Sequence, residues 1–426
     1  MNKSLTGPGA PNGSGGAGFR ELVVMAGPAF FPLAFFARLP LAMLTVGSLT
    51  LVAGATGSYA LGGLSAAMVG LGSAFGGPLL GYMADRIGQR KVLLPLALAN
   101  PAAILALMVI GGSGTNIGLM VLASLLCGAL SPQVGPLARV RWMAMTAGRP
   151  NSGRELSTAL SYEGTADELT FVMGPALVGL LAATIAPWLP LAIAAALTLV
   201  LVPLFALHHS ATRAHPGPGS AAAAKPTGDQ VLRVALAVTG MIGMGTYFGA
   251  MSAGTIAFAG SLGNASAGGL LYAAMGLTSA CAALSVAFWP QSWPQANRWI
   301  LAGGLLFPLV LLLHLPTTLA PMVVVLLLVG IPVGPIMVTI FTVGGAAAPA
   351  GRLGTVMTML SSGIVVGTAI GNGLAGTLAD SVGFRGAYWV AAAAALLLFA
   401  AGLGTAILHR VDLRAGKEHP TRRRVG

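Results

Sequence analysis

Twelve apolar runs divide the chain, at roughly 24–53, 62–83, 92–111, 117–137, 157–185, 188–207, 233–256, 265–289, 299–315, 320–343, 355–378 and 386–408. Each, as a helix, has the length to cross a hydrocarbon core of about 30 Å. The chain as a whole is 56% hydrophobic and only 8% charged, against about 25% charged residues in soluble domains. The runs are too long and too evenly apolar for barrel strands, which alternate over about ten positions. The expectation is an all-α integral membrane protein with twelve transmembrane helices.

The charges say which way round it sits. Of the 22 Lys and Arg, all but Arg38 and Arg385 fall in the ends and in the alternate loops that would share one side with them. By the positive-inside rule that side is the cytoplasm, so both termini are expected there. The net charge of +12 therefore reflects orientation and contact with anionic lipid, and no nucleic-acid partner is expected. The first 18 residues, rich in Gly, Ser and Pro, read as disordered. No signal peptide precedes the first span, which is expected to remain as an uncleaved anchor. Cys127 and Cys281 fall inside spans and suggest no disulfide framework.

The chain repeats itself at about half its length. GGLSAAMVGLGSAFG (62–76) realigns on GGLLYAAMGLTSACA (268–282) at an offset of 206, with eight identities from Gly62 to Ala74. GPALVGLLA (174–182) pairs with GNGLAGTLA (371–379) at 197, and the VGP of 134–136 pairs with that of 333–335. Three matches in one order imply two homologous six-helix bundles. The expected organisation is a cytoplasmic tail over 1–20, a first bundle over 21–207, a polar cytoplasmic linker over 208–232, a second bundle over 233–408 and a basic tail over 409–426. Parallel repeats of this kind place a substrate site between the halves near the midplane and operate by alternating access.

GYMADRIGQRK (81–91), between spans two and three, holds four charges in eleven residues. It resembles the signature loop of the major facilitator superfamily, roughly G-x-L-A-D-R-x-G-R-R-K. Gly81, Ala84, Asp85, Arg86, Gly88, Arg90 and Lys91 match, while Met83 and Gln89 depart. The resemblance implies a gating loop in which the Asp85 carboxylate meets span eleven of the other half, near Gly354 and Thr355, while the cytoplasmic side is closed. Helix N-termini favour such an anion. Gly88 suits the tight turn, and Arg86, Arg90 and Lys91 suit acidic partners or lipid phosphates. The repeat puts Gln291, Ser292, Pro294, Ala296 and Asn297 where the second half would carry the same residues. Trp289, Trp293 and Trp299 nearby read as an interfacial belt.

Ionisable groups inside a span are functional candidates by default. Arg38 in span one, and Glu163, Asp167 and Glu168 in span five, are the four here. Glu163 and Asp167 share a helix face at i and i+4, whereas Glu168 is turned about 100° from Asp167. Two readings stay open: proton coupling through Asp167 or Glu168, or a structural ion pair of Arg38 with one of them, with Glu163 near the headgroups. Gly174, Pro175 and Gly179 partly resemble the span-five motif of the superfamily's drug/proton antiporters, or serve helix packing. The span-four arginine of those antiporters is absent from SLLCGALSPQVGP, and Arg139 and Arg141 fall later, near the cytoplasmic end.

These features point to a proton-coupled exporter of small, partly apolar molecules in a prokaryotic plasma membrane. Its cavity is expected to be lined mainly by spans one, four, seven and ten, with Ser131, Gln133, Tyr247, Thr339 and Thr342 as polar candidates. Uptake of a sugar, amino acid or other metabolite is the alternative, and a non-transporting sensor or scaffold a third. No metal spacing, nucleotide loop or nucleophile motif appears, so no enzyme, metal or cofactor is expected, with the proton gradient as energy source. A monomer is expected.

Overall fold

The computed structural model describes residues 15–113, 116–213, 226–263 and 267–418, and every regular element among them is helical. A short helix α1 (Gly15–Ala26) precedes the spans. The first half then comprises α2 (Phe30–Thr56), α3 (Tyr59–Ile87), α4 (Gln89–Ser113), α5 (Ile117–Ala129), α6 (Val134–Thr146), α7 (Ser152–Thr184) and α8 (Leu189–Leu207). After α9 (Ser210–Arg213) come α10 (Gly228–Ser261), α11 (Gly268–Ser285), α12 (Gln295–Leu311), α13 (Leu319–Ala347), α14 (Leu353–Val382) and α15 (Phe384–Glu418). Together they provide twelve membrane spans, α5 and α6 forming the fourth.

Each half is a bundle. In the first, α2 packs on α3, α7 and α8, and α4 on α5 and α8; in the second, α10 packs on α14 and α15, and α12 on α13 and α15. Lipid is as apolar as these side chains, so helix association here depends on close approach rather than on the hydrophobic effect. Glycine supplies it. Gly128 of α5 sits directly on the Val69 carbonyl of α3, and Gly330 of α13 sits on that of Met275 in α11. Met275 is the counterpart of Val69 at the 206-residue offset, so the same contact occurs once in each half. Gly245 and Gly249 of α10 lie on carbonyls of α14, and Gly367 and Gly371 of α14 lie on carbonyls of α10.

The halves meet along α3 against α14 and α7 against α11. On α3, Gly70, Gly77 and Gly81 face Val365, Ser362 and Thr358 of α14 in turn. α1 adds a contact at the end carrying the termini, where the Phe19 ring lies 6.5 Å from that of Phe288 beyond α11.

The expected boundaries shift where caps and packing extend helices. Residues 15–20, expected as disordered tail, are helical in α1, whose Leu22 and Ala26 are buried in the first bundle. The linker loses its last five residues to α10, whose Thr227 and Gln230 form a capping box. The tail loses its first ten residues to α15. Residues 1–14, residues 214–225 of the linker and the TRRR sequence lie outside the described residues. Trp299, expected in an interfacial belt, is fully buried and donates its indole N–H to the Leu398 carbonyl at 3.0 Å. Trp289 and Trp293 stack on each other, half-buried.

Candidate transport site and gate

Span four is broken. Ser131 precedes a proline and is steered away from helical angles, and Pro132 has no N–H to continue the ladder. The chain therefore leaves α5 after Ala129 and starts α6 at Val134. This break turns Arg139 inward. Counted from sequence among the cytoplasmic loop charges, Arg139 is instead fully buried within the fourth span, because the span runs on to Thr146.

Four charges converge beside the break. Arg38 of α2 donates through Nη2 to Glu163 Oε2 at 2.6 Å and through Nη1 to Asp167 Oδ1 at 2.8 Å. Arg139 Nη2 reaches Asp167 Oδ2 at 2.6 Å, with its guanidinium carbon 3.7 Å from the centre of the Phe341 ring of the second half. Glu163 also accepts from the Trp142 indole at 2.8 Å. Two arginines and two carboxylates thus neutralise one another away from water, where an unpaired charge costs several kcal/mol.

Two expectations need correction. Glu163, read as lying near the headgroups, is fully buried and is a principal partner of Arg38, since α7 begins at Ser152 and places it more than two turns in. Glu168 makes no pair with Arg38. Turned away from Asp167 by the helical period, it is buried and accepts from Ser279 Oγ of α11 at 2.8 Å. Among the described residues, no arginine, lysine or histidine forms an ion pair with it.

A small cavity of about 40 Å³ lies beside Asp167 and Arg38, walled also by Gln133, Thr170, Ser362 and Phe171. It belongs to spans one, two, four, five and eleven, not to the expected one, four, seven and ten. Gln133 lines it, whereas Tyr247 is buried in the second bundle with its hydroxyl on Met275 Sδ. Thr339 and Thr342 line a separate cleft of about 600 Å³ at the terminus-bearing end, along with Gln291 and Arg233. Gly174 packs on Ala42, whose backbone a Cβ at this position would meet at 2.9 Å, and Pro175 follows it inside α7. Gly179, expected in the same packing, is exposed with nothing beside it.

At the terminus-bearing end, Asp85 meets α14. Its Oδ1 accepts from the Gly354 N–H, and its Oδ2 from both the N–H and the hydroxyl of Thr355, all at 2.7 Å. The carboxylate thus caps a helix N-terminus whose first N–H groups have no partner in their own helix. Gly81 and Gly354 allow the approach, since a Cβ on Gly354 would stand 2.6 Å from Asp85 Oδ1. Gly88 turns the chain with φ +91°. Arg86 stacks over Tyr82 at 4.9 Å, while Arg90 and Lys91 are exposed.

Sequence reasoning missed the role of Gln89. It is buried, accepts from Arg141 Nε at 2.8 Å and donates to the Leu137 carbonyl. Arg141, also placed in a loop from sequence, donates onward to the Phe205 carbonyl and to Ser210. The apolar run ends near residue 137, whereas the folded span continues to Thr146, so both arginines lie past the end that the sequence marks.

No curated protein sequence matches the chain significantly. The chain is similar in structure to the human organic anion transporter MFSD10 (TETRAN), at 22% identity and a TM-score of 0.63 over 89% of this chain and 98% of that one. The major facilitator transporter FucP in its outward conformation follows at 12% and 0.61, over 87% and 97%. A bacterial homologue of the iron transporter ferroportin, in an outward-facing state, gives 16% and 0.63, over 88% and 98%. Likenesses at these identities concern fold. The sequence pattern described as Major Facilitator Superfamily matches residues 30–362, most of the chain, and with twelve spans in two repeated bundles this protein belongs to that superfamily of membrane transporters.

Proposed function

We propose that the protein is a secondary transporter that exports small, partly apolar molecules across the plasma membrane in exchange for protons, with both termini in the cytoplasm. Glu168 is the proton carrier in this reading. The observation that carries it is the contrast between the acids of α7: Glu163 and Asp167 are held by arginines, whereas Glu168 has a serine hydroxyl alone. A carboxylate held by two guanidinium groups has little reason to release its charge. One buried without a cation is costly as an anion and far less so when protonated.

The location of Glu168 supports coupling as well. Its hydrogen bond joins α7 of the first half to α11 of the second, so a proton gained or lost there changes a contact between the moving bodies. Asp85 is the cytoplasmic clasp in this reading, because its three hydrogen bonds to α14 tie the two halves together at the terminus-bearing end. Leu41, Ala42, Phe171, Ile364 and Val365 on the cavity walls suit the apolar part of such a cargo.

The test is transport by the purified protein in liposomes under an imposed pH gradient, using a fluorescent apolar dye as cargo. Glu168→Gln is expected to abolish gradient-driven accumulation while leaving exchange without a gradient measurable. If Glu168→Gln accumulates dye at the unaltered rate, Glu168 is not the carrier.

A further inference from the structure

The break in span four leaves the N-terminus of α6 inside the protein, next to the small cavity. Its N-cap residue, Gln133, puts no side-chain hydrogen bond onto the first turn, and its amide instead donates to the Ser131 carbonyl. The Val134 N–H is bonded to the Pro132 carbonyl and Pro136 has no N–H, which leaves the Gly135 N–H as the open backbone donor of this first turn, at the positive end of the helix dipole, where anions are favoured. In membrane transporters half-helix N-termini of this kind face anionic groups of the substrate.

Independent observations at the same place point to a ligand. Arg139 is fully buried, yet its Nε and Nη1 have no hydrogen-bond partner. Ser362, from α14 of the other half, is more than nine-tenths buried and lines the cavity, and its hydroxyl is likewise unpartnered. Buried donors without acceptors are rare and call for an explanation. Gly135 stands between these groups and leaves room: a Cβ there would lie 3.2 Å from Asp167 Oδ1 and 3.6 Å from Arg139 Nη1. The four charges of Arg38, Arg139, Glu163 and Asp167 cancel, so the end of α6 and the spare N–H groups of Arg139 tip the site toward an anion.

We propose that the N-terminal end of α6, with Arg139, Gln133 and Ser362, is a subsite for the acidic group of the cargo, which is an organic acid with an apolar body. This deepens the exporter reading and rests on it. The incoming acid takes the free donors of Arg139 and Ser362 and competes with Asp167 for the guanidinium groups. The present space of about 40 Å³ admits only the acidic group, and Leu41, Phe171, Ile364 and Val365, which wall the same cavity, offer the body an apolar surface once the halves part.

The test is equilibrium binding to the purified protein in nanodiscs, with dansyl-aminooctanoate as probe and its methyl ester as the uncharged control. In the parent protein the acid is expected to bind at least tenfold tighter than the ester. Arg139→Gln would take one of its two cations from Asp167 and leave the buried cluster with a net negative charge, so the informative variants are Gly135→Ala, which fills the gap without touching a charge, and Ser362→Ala, which removes a hydroxyl that bonds to nothing in this structure. Both are expected to cut the preference for the acid below threefold while the ester binds as before. Equal binding of acid and ester by the parent protein, or a tenfold preference that survives in both variants, overturns the subsite. Binding needs no proton gradient, which separates the two proposals. A preference for acid that these variants remove, in a protein that shows no pH-driven transport, leaves the subsite standing and removes proton-coupled export.

Discussion

Ser279 donates to Glu168 at 2.8 Å across the boundary between the two halves, and the pair is buried on both sides. A buried acid whose partner is a hydroxyl on the opposite bundle depends on the distance between the bundles. When they part, the hydrogen bond is lost, and the acid meets a different environment.

Ser279→Ala is therefore expected to leave a folded protein whose pH-driven transport falls several-fold, with Ser279→Thr restoring most of it. Dye accumulation in liposomes reads both. Transport by the alanine variant at the parent rate would mean that the hydroxyl takes no part in coupling.

The charge cluster behaves as a unit. Asp167→Asn leaves Arg139 buried with no anion, at a cost of about 3–5 kcal/mol, and is expected to lower the thermal midpoint and the yield of purified protein sharply. Glu163→Gln is expected to be milder, because Arg38 retains Asp167. Combining Asp167→Asn with Arg139→Gln should recover a large part of the loss, and fluorescence-detected size-exclusion after heating measures it.

Asp85→Asn keeps the shape of the clasp but removes its charge at the α14 N-terminus. The closed state is expected to weaken by about 1 kcal/mol, with faster labelling of a cysteine placed at Thr342 in the terminus-side cleft. Gly354→Ala should have the same effect by a different route, since its Cβ would stand 2.6 Å from Asp85 Oδ1. An unaltered labelling rate in both variants would remove the gating role.

His208 follows the last span of the first half and precedes α9. Burial, then the neighbouring His209 and Arg141, push its pKa down from 6.5 to about 4. The folded protein thus refuses a proton that the unfolded chain accepts. Stability is unaffected above pH 6.5 and falls as the pH drops from there toward 4. The thermal midpoint should decline across this window, and decline less in His208→Asn.

Much of this arrangement was legible from sequence, and the rest was hidden for identifiable reasons. Twelve spans and their repeat followed from length and pattern, because a bilayer admits few alternatives. The contact of Asp85 with Gly354 and Thr355 could be anticipated from the motif, and the separation of Glu168 from Asp167 from helical period alone. Arg139 could not be placed, since its surroundings are polar enough to read as loop, and it was the break at Pro132 that turned it inward. The depth of Glu163 is hidden from the sequence because α7 starts five residues before the apolar run does. Gly179 shows the limit of reading glycine as packing: without a facing helix, a glycine marks nothing.

The glycine contacts between α10 and α14 have a mechanical consequence. Four of them press main chain on main chain, so α14 cannot roll or slide without taking α10 with it. A rod of 30 residues is about 45 Å long at 1.5 Å per residue. Pivoting such a rod by about 10° around its middle moves each end by about 4 Å. That displacement is enough to carry Gly354 and Thr355 out of reach of Asp85, and it brings the far end of α14 inward by the same amount. One stiff lever can therefore release one mouth of the protein as it shuts the other.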